Sequence, residues 1–159
     1  MNSKYVKAKL DFLDSLFHDF ETLAMDDYLR SHLAKYLTVL ISGIYEDAIK
    51  NFIIELAQRR DISKELKEYI LNQVDLSFKN PNSENVFKFL KKFSAEWAEN
   101  FKIKTTQTQR EALDAVVSNK NLIAHGDSSE ITFADIEQHY QNSKEVLNYL
   151  DNLILHINN

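Results

Sequence analysis

Apolar residues recur along this chain at intervals of three and four, the spacing that lines one face of an α-helix, and short polar clusters separate the stripes. From about Ser3 to Ala24, Leu10, Leu13, Phe17 and Phe20 form one such stripe and predict an amphipathic helix. Asp26 and Asp27 then offer a cap for a long second helix reaching about Arg60. Its stripe runs through Leu33, Leu37, Leu40, Ile44, Ala48, Phe52 and Leu56, and Val39, Ile41, Ile49 and Ile53 widen it, as expected for a central element buried on several sides. Asp61 and Ser63 open a third helix, which should end before the turn formers Asn80-Pro81-Asn82-Ser83. A fourth helix carries Val86, Phe87, Leu90, Phe93 and Trp97 and fades at Phe101 to Lys104, where the pattern fits a helix end or an extended connector equally.

A fifth helix is expected from about Thr108 to His125, stopped by Gly126, because glycine takes the left-handed conformation that follows a helix without steric cost. After the polar loop from Asp127 to Glu130, Thr132-Phe133-Ala134-Asp135 has capping-box spacing. The last helix then places Phe133, Ile136, Tyr140, Leu147, Leu150, Ile154 and Ile157 on one face. These elements predict a single all-α domain over residues 1–159, an up-and-down bundle of about five to six helices.

Composition agrees, since two glycines and one proline leave few helix breakers. The absence of cysteine excludes disulfides, thiolate metal sites and thiol nucleophiles. With no apolar signal-peptide core between Met1 and Leu10, and with the most apolar run, Leu37 to Ile44, too short to span a bilayer, a cytoplasmic protein is expected. A net charge of −5 argues against broad affinity for polyanions. A local basic patch is nevertheless available in Lys88, Lys91 and Lys92 with Lys102 and Lys104, although solvated helix faces are the simpler reading of these residues.

No glycine-rich phosphate loop, His-x-x-x-His pair or Glu-x-x-His pair occurs, so no cofactor or metal is expected, and the search for chemistry narrows to histidine. His18, His32, His139 and His156 lie within predicted helices as surface or packing residues. His125 differs because it ends a helix before Gly126 and follows Lys120 and Asn121. Asn121 and His125 share a face, whereas Lys120 lies about 140° around the axis from His125 at roughly 100° per residue. One regular helix does not bring Lys120 and His125 to a single atom. Either the helix end is distorted, or two copies of the helix face each other across a symmetry axis and pool their residues. In the simplest alternative, His125 interacts with the negative end of its helix and Lys120 is a solvated charge.

The segment Lys120-Asn121-Leu122-Ile123-Ala124-His125-Gly126, followed by a polar loop, Thr132 and a final helix, resembles the signature of HEPN domains, especially their RiboL-PSP-HEPN branch. The run from Leu37 to Phe52, an apolar stretch leading into Glu46, resembles the second helix of that branch, so the likeness extends from about residue 30 onward. The resemblance implies an HEPN-like bundle and a metal-independent endoribonuclease whose dimer forms one cleft from two motifs. It also implies His125 as the acid-base residue, Asn121 as the polar residue of the motif, and Lys120 at the place where the family usually has arginine. Lysine keeps the charge there but lacks the planar fork that matches a phosphate. Glu46 resembles the family's acidic residue, with pairing to Lys120 or orientation of His125 as its implied roles.

The partners so implied are an RNA substrate, a second copy of the chain and, in a toxin-antitoxin or phage-defence setting, a cognate antitoxin or a nucleotidyltransferase-type protein. The dimer interface is expected on the fifth helix and part of the second, where Gly43 permits close approach of a neighbouring helix. A noncatalytic HEPN module acting in dimerisation, RNA binding or regulation is the other class consistent with Lys120 and the acidic net charge.

Overall fold

The computed structural model describes residues 1–155 and contains seven helices and no strand among them. They are α1 (Lys4–Thr22), α2 (Asp27–Arg59), α3 (Lys64–Ser77), α4 (Ser83–Lys91), α5 (Ala95–Lys104), α6 (Gln107–His125) and α7 (Phe133–Leu155). His156 and Ile157 lie outside the described residues.

Polar residues at the helix starts satisfy amide groups that a helix leaves without internal partners. Ser3, Asp26 and Ser63 cap α1, α2 and α3 by accepting from Val6, Leu29 and Leu66. Thr106 and Gln109 form a capping box on α6. Thr132 and Asp135 form another at the start of α7: Asp135 N donates to the Thr132 hydroxyl at 3.1 Å and Thr132 N donates to the Asp135 carboxylate at 3.0 Å. The Thr132 hydroxyl, which donates to the same carboxylate at 2.7 Å, and the Thr132 N–H hold the Asp135 carboxyl below the usual carboxylate range.

The described residues form one helix more than the upper end of the expected range because the fourth predicted helix is two. After Lys91 the backbone tightens, with Phe93 N and Ser94 N both donating to Leu90 O. Ser94 then turns extended and caps α5 through Trp97 N at 3.3 Å. The stretch from Phe101 to Lys104, left open by its alternating pattern, is helical, and Phe101 is buried.

Helix α2 packs against both α6 and α7, and these two pack on each other; α3 and α1 lie on α2, while α4 and α5 pair and close over α6 and α7. Enclosure from several sides moves the buried face of α2 relative to its predicted stripe. Ala34, Leu37, Ile41, Tyr45, Ala48, Ile49 and Phe52 fill the core, whereas Leu33, Leu40 and Leu56 are half-buried and Val39 is exposed. Phe17 of α1 stacks on Tyr140 of α7 at 5.0 Å between centroids. Polar groups within this core are paired: the Tyr45 hydroxyl lies 2.9 Å from that of Ser143, and Tyr140 OH donates to Asp14 at 2.8 Å. The amino end of α1 is tied to α7 by buried Asp151, whose carboxylate accepts from Asn2 N at 2.5 Å, Asn2 Nδ2 at 3.0 Å and Ser3 N at 2.8 Å.

Candidate functional site

Helix α6 carries Lys120, Asn121 and His125 and ends as its sequence predicts. Gly126 adopts φ 79°, its N donates to Ile123 O, and Asp127 N donates to Leu122 O, which together close the helix in a left-handed turn. The following loop is pinned back to α6 by Ser129, whose hydroxyl donates to Asn119 Oδ1 at 2.9 Å. The terminal turn is therefore a defined platform, with His125 exposed upon it and its ring in no hydrogen bond or ion pair among the described residues.

Lys120 meets different surroundings. It is half-buried, and its ammonium donates to Asn80 Oδ1 at 3.0 Å and to Asn121 Oδ1 at 3.3 Å. Asn80, in the loop between α3 and α4, has φ 52°, a left-handed conformation that asparagine tolerates better than most residues. Its backbone N donates to Glu46 Oε2 at 3.0 Å. Glu46 and Lys120 thus clamp one residue from two helices, Glu46 through the backbone and Lys120 through the side chain. The two do not form a direct ion pair among the described residues; Glu46 Oε1 instead accepts from Lys50 at 3.1 Å. Partial burial works against the charge on Lys50, but hydrogen bonding to and attraction by Glu46, with help from Asp75, outweigh it and raise the Lys50 pKa.

Of the four residues singled out by sequence, Lys120, Asn121 and Glu46 belong to one hydrogen-bonded group through Asn80, whereas His125 stands apart on the exposed helix end. Asn121 also lines a hollow of about 330 Å³ against the start of α4, beside Asp114, Ser118, Asn82 and Ser83. Within that wall Asp114 accepts from Ser83 N at 2.6 Å and from Ser83 Oγ at 2.8 Å, fixing α4 on α6. Asn80 was not a sequence candidate. The available signal was an asparagine before Pro81 in a turn, which marks an unusual backbone but says nothing of its partners.

The other histidines among the described residues have ordinary surroundings: His18 is exposed, His32 sits edge-on to Tyr28 at 4.4 Å, and His139 is half-buried. No group of three or more metal-ligating side chains is assembled among the described residues, and none of their helices is long and apolar enough to cross a membrane. No curated protein and no solved structure gives a match. A family model described as RiboL-PSP-HEPN matches residues 3–156, a span that contains the all-α core, the Glu46, Asn80 and Lys120 group and the His125 helix end. This chain therefore belongs to the RiboL-PSP-HEPN family.

Proposed function

We propose that this HEPN domain is a metal-independent endoribonuclease that works as a homodimer, with His125, Lys120 and Asn121 of two α6 helices facing one cleft. The observation that carries the reading is the contrast at the end of α6. A histidine stands exposed and unengaged on a rigidly terminated helix, one turn beyond an ammonium held in place by two amide oxygens.

In this reading one His125 removes the proton from a ribose 2′-hydroxyl as its oxygen attacks the adjacent phosphorus. The bond from phosphorus to the 5′-oxygen breaks, and a protonated His125 donates a proton to that leaving oxygen. The products are a cyclic phosphate and a 5′-hydroxyl. Lys120 offers positive charge to the phosphorane oxygens, and Asn121 positions Lys120. Glu46 acts at a distance, by holding the Asn80 backbone and hence the side chain that Lys120 grips.

Exposed residues on α2 and α6 support a second copy docking there. Tyr36, Val39 and Gly43 lie exposed along one face of α2, and a Cβ built on Gly43 meets nothing within 4 Å. Leu122 is exposed on α6. We place the dimer on these surfaces, in a toxin-antitoxin or phage-defence setting with a cognate antitoxin or nucleotidyltransferase-type partner. A noncatalytic role in dimerisation, RNA binding or regulation is the competing reading, favoured by the engagement of Lys120 with Asn80 rather than with open solvent.

Incubation of purified protein with mixed cellular RNA in EDTA, beside a His125→Ala control, separates the two. Loss of the acid-base group should lower cleavage by about 10²- to 10⁴-fold. An exposed helix-terminal histidine contributes only about 0.3 to 1 kcal/mol to stability when charged, so the melting temperature should barely move. Equal cleavage by the two proteins, or none by the wild type, selects the noncatalytic reading.

A further inference from the structure

Away from the α6 terminus, the fold gathers part of the basic patch that the sequence offered, without Lys92 and Lys104 and with Arg110 added. Lys88 and Lys91 of α4, Lys102 of α5 and Arg110 of α6 surround an open cleft of about 660 Å³ with Phe87 and Phe101 in its wall. The break between α4 and α5 makes this possible, because it turns Lys102 back toward α4, where its ammonium lies 3.8 Å from the Phe87 ring centroid. Arg110 is oriented by Nη1, which donates to Lys102 O at 3.0 Å and to the Thr105 hydroxyl at 2.9 Å. The acid in the lining, Glu84, is engaged by Lys88 at 2.5 Å.

This cleft continues toward the proposed active site. Ser83 and Glu84 line both it and the hollow beside Asn121. Along α6, Arg110, Asp114, Ser118, Asn121 and His125 lie within about 80° of one another around the axis, at roughly 100° per residue. The fifteen steps from Arg110 to His125 span about 22 Å at a rise of 1.5 Å each. Asp114, the acid on this track, is occupied by the amide and hydroxyl of Ser83. A chain with repeating negative charges thus meets cations at one end of the track and hydrogen-bonding side chains along it.

We propose that the cleft formed by Lys88, Lys91, Lys102 and Arg110 binds the phosphate backbone of single-stranded RNA a few nucleotides from the bond presented to His125. The proposal rests on RNA being the substrate. A concentrated local patch is what lets a protein of net charge −5 attract a polyanion. A single strand fits better than a duplex because half-buried Phe87 in the wall beside the cations offers a ring to an unpaired base, and a duplex keeps its bases stacked on each other.

The test measures binding of a short fluorescent oligouridylate by full-length His125→Ala protein, so that cleavage does not interfere. Two lysines are reversed in the cleft, Lys91→Glu with Lys102→Glu. A control of equal net charge, Lys4→Glu with Lys64→Glu, reverses exposed residues in the first turns of α1 and α3, where helix dipoles accept an acid. Reversal in the cleft should weaken binding about tenfold or more at low salt and flatten the dependence of log affinity on log salt by about 0.7 per lost phosphate contact, while the control stays within about twofold. Lys91→Gln with Lys102→Gln, checked by circular dichroism, carries the test if the reversed protein does not fold. No binding, no loss in the cleft variants, or equal loss in the control overturns the proposal. Cleavage is read separately on the protein with His125 intact, so cleft-dependent binding without cleavage removes the nuclease reading and leaves the cleft standing.

Discussion

Lys120 and His125 lie five residues apart on one helix, yet one is held between two amide oxygens and the other is open to solvent. The difference comes from direction: at about 100° per residue the two side chains diverge by roughly 140°, and the loop carrying Asn80 covers the side to which Lys120 points. An ammonium satisfied by amide oxygens is also placed, and a guanidinium in the same position has donors to keep those contacts and a planar fork for a phosphate. Lys120→Arg should accordingly give between about one and ten times the wild-type rate of RNA cleavage, the upper figure being about 1.4 kcal/mol of added transition-state contact. Initial rates on one RNA, with circular dichroism of both proteins, check this. A large loss in a folded variant would assign the ammonium a role that the fork cannot take.

Helices form where their caps and stripes indicate, but the junctions between them depend on partners distant in sequence. Ser94 divides one continuous apolar pattern into α4 and α5, a break hidden in sequence because Phe93 and Trp97 keep helical spacing across it. The docking of α1 is similar: Asp151 is 0% exposed and accepts three N–H groups from Asn2 and Ser3, almost the whole chain away. Asp151→Asn replaces one acceptor oxygen with a donor facing those N–H groups, and should lower unfolding free energy by about 1 to 3 kcal/mol. Urea unfolding reads the change as a shifted midpoint with an unchanged slope. An unshifted midpoint would show that the Asp151 carboxylate adds nothing to the other contacts that hold the α1 terminus, such as those of Ser3 with Glu55 and Asn2 with Arg59.

For the whole molecule, the proposed dimer makes a clean demand on α2. Gly43 is exposed within a helix, with space around it, so a larger residue is compatible with the monomer and improves helix propensity by up to about 1 kcal/mol. Across a two-fold axis the same side chain would collide with its counterpart's surface. Wild-type protein should therefore scatter light as twice 18.6 kDa and Gly43→Arg as 18.6 kDa, with the thermal midpoint of the variant showing an intact fold. A monomeric wild type, or a variant that remains dimeric, rules out this face as the interface. The sequence by itself determined the helical class, the caps of α2, α3 and α7 and the Gly126 stop, because periodicity, capping and left-handed glycine are local consequences of a few neighbouring side chains. Only the tertiary structure decided that Lys120 and Glu46 meet through Asn80 rather than directly, and that Lys88, Lys91, Lys102 and Arg110 share one cleft. Those relations depend on how α2, α4, α5 and α6 pack, and packing brings together residues whose spacing along the chain carries no signal of their contact.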